Sequence, residues 1–308
     1  MIFKQELKNI IRKNGMKRYI SKEIKEFISK PLFDENVILN KEPSYPKISI
    51  VTPSYNQAQF LERTILSVLN QNYPNLEYII IDGGSTDGSV EIIKKYEKYL
   101  AYWVSEKDKG QADAINKGFL EVTGDILAWQ NSDDIYLPEV FLKVAKEFEN
   151  HQETDLVFGN IYLINKETRI IRDIRYVPFS LCCLLHEGWN ITNQAAFWRK
   201  KVLENVGLLD RTLCYAMDYD WFIRLAKANK RFIFLHDFIG GFRIHEATKG
   251  AQIGKTLGRS EHARIRFKNS LLNSHQGLKL YCLVRRALWY IIQGDWDYIY
   301  RGVRSRWG

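Results

Sequence analysis

Two adjacent carboxylates, Asp133 and Asp134, follow directly on a short apolar run, Ile126-Leu-Ala-Trp-Gln130, within Asn131-Ser132-Asp133-Asp134. Crowding two acids at the end of a buried strand is costly unless a cation neutralises them. Mg²⁺ or Mn²⁺ suits such a place, because these ions bind through one or two carboxylates and complete their shell with phosphate oxygens. The plainer reading of the same residues is an Asp-rich turn that caps the helix beginning near Pro138. A second polar turn, Gly83-Gly84-Ser85-Thr86-Asp87-Gly88, precedes a helical period and could hold a phosphate. It lacks G-x-G-x-x-G, and G-x-x-x-x-G-K-[ST] occurs nowhere, so dehydrogenase and P-loop chemistry are weakly supported. Taken alone it reads as a structural turn.

The elements that must position these groups alternate. Strand-like runs at Ile48–Thr52, Leu76–Asp82, Ala101–Ser105 and Ile126–Gln130 are each followed by a helical period, at Ala58–Asn70, Asp87–Tyr99, Gln111–Val122 and Pro138–Glu149. Alternation of this kind predicts a parallel sheet with helices on both faces. Ligands of such sheets bind beyond the carboxyl ends of the strands. The polar residues gather at those ends: Thr52 to Asn56, Asp82 to Asp87, Ser105 to Gly110 and Asn131 to Asp134. Four successive strand ends therefore aim at one site, and in that company the cation reading of Asp133 gains weight. Beyond about residue 155 the pattern loosens. Asp155–Asn165 and Thr168–Tyr176 read as an antiparallel pair, Ala195–Arg199 and Phe232–Leu235 as further strands, and Asp218–Asn229 as a helix.

The 308 residues carry 45 Lys+Arg against 36 Asp+Glu, a net charge of +9 with a pI near 9.2. The surplus is not spread evenly. Residues 1–46 hold 10 basic and 6 acidic side chains, residues 47–254 hold 24 and 27, and residues 255–308 hold 11 and 3. The middle is slightly acidic, which argues against a nucleic-acid-binding protein, since the presumed cleft carries Asp rather than Lys or Arg. Cys182, Cys183, Cys214 and Cys282 have no C-x-x-C spacing, which disfavours a disulfide framework or a zinc ribbon. No stretch has the length and apolarity of a signal-peptide core or a spanning helix. The expected location is cytoplasmic, soluble or peripheral on the inner membrane face.

The stretches ISIVTPSYNQAQFLERTILSVLNQNYPNLEYIIIDGGSTDGS and DKGQADAINKGFLEVTGDILAWQNSDDIYLP resemble family-two glycosyltransferases of the GT-A fold, from about Lys47 to His245. The resemblance implies an α/β, Rossmann-like, mostly parallel sheet, with a small antiparallel part and a helical C-terminal extension. It divides the chain into a basic N-terminal extension (1–46), a transferase domain (47–254, with a nucleotide-binding half at 47–150 and an acceptor half at 151–254), and a basic amphipathic tail (255–308). It implies a nucleobase slot at Pro53 and Tyr55, with Asp82 accepting from a uracil or thymine N3–H and Asp108 as a second base contact. Asn131-Ser132-Asp133 falls on the D-x-D slot, with Asn131 facing the ribose or the metal shell and Asp133 as metal ligand, while Asp134 orients the site or caps the helix. YAMDYDWFIRLA falls on the family's E-D motif, with Met217 in place of the Glu and Asp218 at the general-base position. GWNITNQAAFWRKKVLENVGLLD lines the sugar pocket in relatives, which makes Asn193 and Gln194 sugar or acceptor contacts. GFRIHEATKG brings His245 to the metal shell or the diphosphate, aided by Arg243. Trp129, Trp189 and Trp198 are core or pocket wall.

The reaction so implied is inverting transfer of a sugar from a UDP- or dTDP-sugar to a hydroxyl of a glycan or lipid-linked acceptor in surface polysaccharide synthesis, with Mg²⁺ or Mn²⁺. A sugar nucleotidyltransferase is the alternative. It is disfavoured by the lack of a Gly-rich, Arg- and Lys-bearing loop after the first strand. The tail, rich in Trp, Tyr and Arg, suits either an anionic membrane interface or packing on the domain or on a second copy. Oligomeric state is open at this level.

Overall fold

The computed structural model describes residues 16–187, 191–269 and 276–307. Trp189 and the first 15 residues lie outside them. The first half alternates as the pattern requires. β1 (Ile48–Ser54), β2 (Leu76–Asp82), β3 (Tyr102–Ser105) and β4 (Ile126–Trp129) are parallel, in the order β3-β2-β1-β4. β1, β2 and β4 are buried along their whole length, as expected of parallel strands covered on both faces. Two short helices, α1 (Ser21–Phe27) and α2 (Glu35–Leu39), precede them. The covering helices are α3 (Ala58–Leu69), α4 (Ser89–Lys95), α5 (Gln111–Glu121) and α6 (Val140–Asn150). Gly118 lets α5 lie close on β1, since a Cβ there would meet Val51 Cγ1 at 2.3 Å. α4 is shorter than the Asp87–Tyr99 expectation. It starts after Gly88 in the left-handed region (φ 98°) and gives way to a 3₁₀ turn at Glu97–Tyr99.

The second half turns antiparallel and completes a sheet of nine strands among the described residues. After the two-residue β5 (Ile135–Tyr136) come β6 (Leu156–Ile164), β7 (Ile170–Ile174), β8 (Ala196–Arg199) and β9 (Phe232–Arg243). β8 runs antiparallel between β4 and β6, β9 lies parallel beside β6, and β7 pairs with β6 as the expected hairpin. β9 is three times the length that its Phe232–Leu235 core suggested. Gly240 and Gly241 sit inside it because neighbours approach closely there: a Cβ would meet the Gln194 carbonyl oxygen at 2.2 Å and Ile135 Cγ1 at 2.8 Å. The helices of this half are α7 (Leu181–Glu187), α8 (Lys200–Val206), α9 (Met217–Lys227), α10 (Lys249–Gln252), α11 (Arg259–Lys268), α12 (Gln276–Ile292) and α13 (Trp296–Trp307).

One aromatic cluster joins the halves. Trp129 of β4, Trp198 of β8 and Trp221 of α9 are all buried, with ring centroids 5.2 Å (Trp129–Trp198) and 4.6 Å (Trp198–Trp221) apart. Segments on both flanks of the sheet join the same core, through Ile24, Phe27 and Ile28 before it and Ile265 after it.

Candidate active site

The carboxyl ends of β1 and β4, the loop after β3 and the start of α9 enclose a cavity of about 660 Å³, a size that suits a cofactor or substrate. Its shape depends on the turn after β2. Asn56 N–H donates to Ser85 Oγ (2.8 Å), Thr86 N–H to Asn56 Oδ1 (2.9 Å) and Ala58 N–H to Asp87 Oδ2 (2.9 Å). The Gly-rich turn thus braces the β1–α3 loop, the plainer of its two sequence readings. Gly83 matters for a different reason: a Cβ there would meet Asp108 Oδ2 at 2.6 Å and Tyr55 at 3.3 Å. Pro53, Tyr55 and Asp108 therefore share one wall of the cavity. Asp82 does not reach that wall. It is fully buried and accepts from Gly84 N–H, Ser85 N–H, Ser85 Oγ–H and Ser105 Oγ–H, holding the turn from beneath.

The end of β4 supplies the second wall. Asp133 Oδ2 and His245 Nε2 stand 3.1 Å apart, and the imidazole rests against the Phe60 ring at 4.7 Å. Asn131 accepts from Gln111 Nε2 (2.7 Å) and donates to Asp134 Oδ2 (3.0 Å). Asp134 is the orienting group. It accepts from Arg243 N–H and Gln194 Nε2, each at 2.8 Å. Burial, with Asp133 beside it, pushes the Asp134 carboxyl well above the usual range, and those donors oppose the rise. Arg243 was expected to aid at the metal or the diphosphate, and the structure corrects this. Its guanidinium is buried and donates to the carbonyls of Asp133, Asn165 and Lys166 and to Thr168 Oγ1, so it clamps the Asp133–Asp134 turn from behind. Burial lowers its pKa to about 10.

Among the described residues no three His, Cys, Asp or Glu side chains converge as a complete metal set. Asp133 gives one oxygen at the cavity wall, and His245, buried behind it, gives one nitrogen 3.1 Å from that carboxylate. That donor set fits a Mg²⁺ or Mn²⁺ ion whose remaining positions belong to a diphosphate and water.

The acceptor half closes the cavity. Asp218, in the first turn of α9, has its pKa raised to about 6 by desolvation, against the Tyr219 N–H it accepts (2.8 Å) and the charge of Lys249. Asp220 turns away and pairs with Arg224 (2.8 Å). Asn193 and Gln194 both line the cavity, but differently. Gln194 donates to Asp134, whereas Asn193 Nδ2 is buried with no partner among the described residues. Ser54 Oγ and the Tyr219 hydroxyl are cavity-lining orphans of the same kind. Buried polar atoms without partners are costly, so these three point to a polar ligand. Trp129 is both core and cavity wall, while Trp198 is core alone.

Three contributors were not foreseen. Gln111 starts α5 and holds Asn131. Lys249 lines the cavity and donates to the Cys214 carbonyl (2.7 Å). Glu261 of α11 accepts from the backbone N–H groups of Cys214, Tyr215 and Ala216, at 2.8, 2.9 and 2.9 Å, and so fixes the entry to α9. Local pattern carried no sign of Glu261, because its partners are backbone groups 45 to 47 residues away.

A parallel half-sheet ending in a cavity lined by a carboxylate that an imidazole backs and by a second, desolvated carboxylate is an arrangement suited to group transfer. The chain belongs to glycosyl transferase family 2, which its residues 49–207 match. It is 31% identical over 185 residues to an uncharacterized glycosyltransferase of Mycobacterium tuberculosis, Rv1514c, covering 59% of this chain and 70% of that one. The fold is the GT-A fold of solved transferases. It superposes on Staphylococcus aureus TarS 1–349, solved with UDP-GlcNAc, with a TM-score of 0.56 at 18% identity, covering 81% of this chain and 80% of that one. The mannosyltransferase PcManGT of Pyrobaculum calidifontis, solved with GDP-Man and Mn²⁺, gives 0.55 at 19%, covering 89% and 77%. The protein is a glycosyltransferase.

Proposed function

We propose that the enzyme transfers a sugar, with inversion, from a UDP- or dTDP-sugar to a hydroxyl of a glycan or lipid-linked acceptor, in surface polysaccharide synthesis at the cytoplasmic face of a membrane. The observation that carries this reading is that Asp133, paired with His245, and the desolvated Asp218 line one cavity. In this reading Pro53, Tyr55 and Asp108 hold the base, with Asp82 fixing the turn beneath them, and Asn131 receives the ribose. Asn193 takes a sugar or acceptor hydroxyl on its free amide, and Gln194 keeps Asp134 and the β4 end in place. Asp218 accepts the acceptor proton as the hydroxyl attacks the anomeric carbon. A divalent ion held by Asp133 and His245 would stabilise the negative charge of the departing diphosphate. Solved neighbours with UDP-GlcNAc and with GDP-Man and Mn²⁺ support a nucleotide-sugar donor and a divalent ion, and the choice of UDP or dTDP rests on the resemblance of Asp108 to a base contact.

Donor turnover with Mn²⁺ tests the reading. Asp218→Ala and Asp133→Ala are each expected to lower it by roughly 10²-fold or more. Wild-type transfer by both variants would remove the assignment. Release of pyrophosphate from a nucleoside triphosphate and a sugar phosphate would instead favour the nucleotidyltransferase.

A further inference from the structure

The C-terminal hairpin of α12 and α13 is docked on one side and bare on the other. On the docked side Cys282 is buried against Cys183 of α7, and Tyr290 donates its hydroxyl to the Arg175 carbonyl (2.6 Å). Arg285 donates to the Pro178 carbonyl (2.6 Å). At the hairpin bend, Arg175 pairs with Asp173, Asp295 and Asp297. On the opposite side, Leu280, Val284, Leu288 and Ile291 recur at the spacing of one helix face. Their exposure runs from 42% to 60%, and Ile292 and Trp296 extend the strip across the bend. A surface helix ordinarily turns polar residues to water, so an apolar strip of this length marks a covered surface.

Charge decides what covers it. Residues 255–308 hold 11 basic and 3 acidic side chains, and all three acids have partners within the chain. Glu261 is taken by backbone N–H groups, and Asp295 and Asp297 by Arg175. At about 100° per residue, Arg285 borders the strip, whereas Lys279 and Arg286 fall on the side of α12 away from it. Two such segments face to face would repel, whereas an anionic lipid surface attracts them. Among the described residues no helix is long and apolar enough to cross a membrane, so the helix would lie in the interface plane, where Trp and Tyr are favoured.

We propose that the outward face of α12 and the start of α13 docks in the headgroup region of an anionic bilayer. Docking there holds the cavity at the membrane surface. α12 packs on α7, and Leu184 of α7 lines the cavity, so two helix layers, about 20 Å, separate the strip from the site. The purpose, access to a lipid-linked acceptor, rests on the function proposed above; the docking itself does not.

Sedimentation of the full chain with vesicles separates the possibilities. Wild type is expected to partition at least tenfold better onto phosphatidylglycerol–phosphatidylcholine vesicles than onto phosphatidylcholine alone, and to release as salt rises. The exposed triple variant Val284→Ser/Leu288→Ser/Ile291→Ser should lose tenfold or more of that binding. Its thermal shift with UDP-GlcNAc and Mn²⁺ should match wild type. Equal binding by the triple variant, or indifference of wild type to anionic lipid, overturns the proposal. A wild-type dimer that the triple variant converts to monomer, with no vesicle binding, would reassign the face to a second copy. Vesicle binding that the triple variant abolishes, with no thermal response of wild type to any nucleotide sugar, would sink the transfer reading and leave the docking face standing.

Discussion

At the scale of single residues, Asp218 and Asp220 divide two jobs by environment. They sit two residues apart on α9. Asp220 is paired with Arg224, while Asp218 accepts one backbone N–H and loses water to the cavity. Desolvation disfavours the charged carboxylate, so Asp218 holds its proton up to about pH 6. A general base works only when unprotonated. The rate of transfer, measured as kcat/KM for the acceptor, should therefore fall tenfold per pH unit below about pH 6 and level off above it. Asp218→Asn should be slow and lack that limb. A wild-type profile that stays flat from pH 8 to pH 4.5 would remove Asp218 from the role. The resemblance indicated Asp218, but its pKa was not legible, because burial of the carboxyl follows from how distant parts of the chain pack around it.

At the scale of elements, the legible parts are those whose partners are close in sequence. β1 to β4 and α3, α5 and α6 stand within two residues of their expected bounds, since each carries its own period and its own flanking turn. β9 runs well past the expected Phe232–Leu235, through Gly240 and Gly241, whose place in a strand is explained only by close contact with Gln194 and Ile135. Glu261 is the same problem at the site. α11 carries it, yet its effect falls on α9. Three backbone N–H groups at the entry to α9 have the Glu261 carboxylate as acceptor. Removing that acceptor leaves buried donors unmade, at about 1–3 kcal/mol. Glu261→Ala should lower the urea-derived stability by about 2 kcal/mol and lower kcat while leaving the donor KM near its wild-type value, because the Asp133 wall is built from other elements. Glu261→Gln, which keeps an acceptor oxygen, should recover part of kcat. A donor KM that rises with kcat unchanged would mean that Glu261 does not position Asp218.

For the whole molecule, the question is whether the basic tail is an appendage or part of the fold. The net +9 first suggests nucleic acid, but its distribution leaves the site acidic and the surplus at the flanks. The tail is tied to the sheet by Arg175, whose side chain is 1% exposed at the end of the β6–β7 hairpin. Its guanidinium pairs with Asp173 and with Asp295, while Arg301 reaches back to Asp173 (2.6 Å). Breaking a buried pair from one side is far worse than replacing it whole, because the remaining charge stays desolvated. Arg175→Met strands Asp295, which has no other salt-bridge partner among the described residues. The expected cost is about 3 kcal/mol in urea, with faster proteolytic cutting after residue 255. Adding Asp295→Asn removes the stranded charge, so Arg175→Met/Asp295→Asn should regain a sizeable part of that loss. If the double variant is no more stable than the single one, the charge was not the source of the cost. If Arg175→Met is as stable and as resistant as wild type, the tail is not anchored through this cluster, and its orientation against a membrane needs another support.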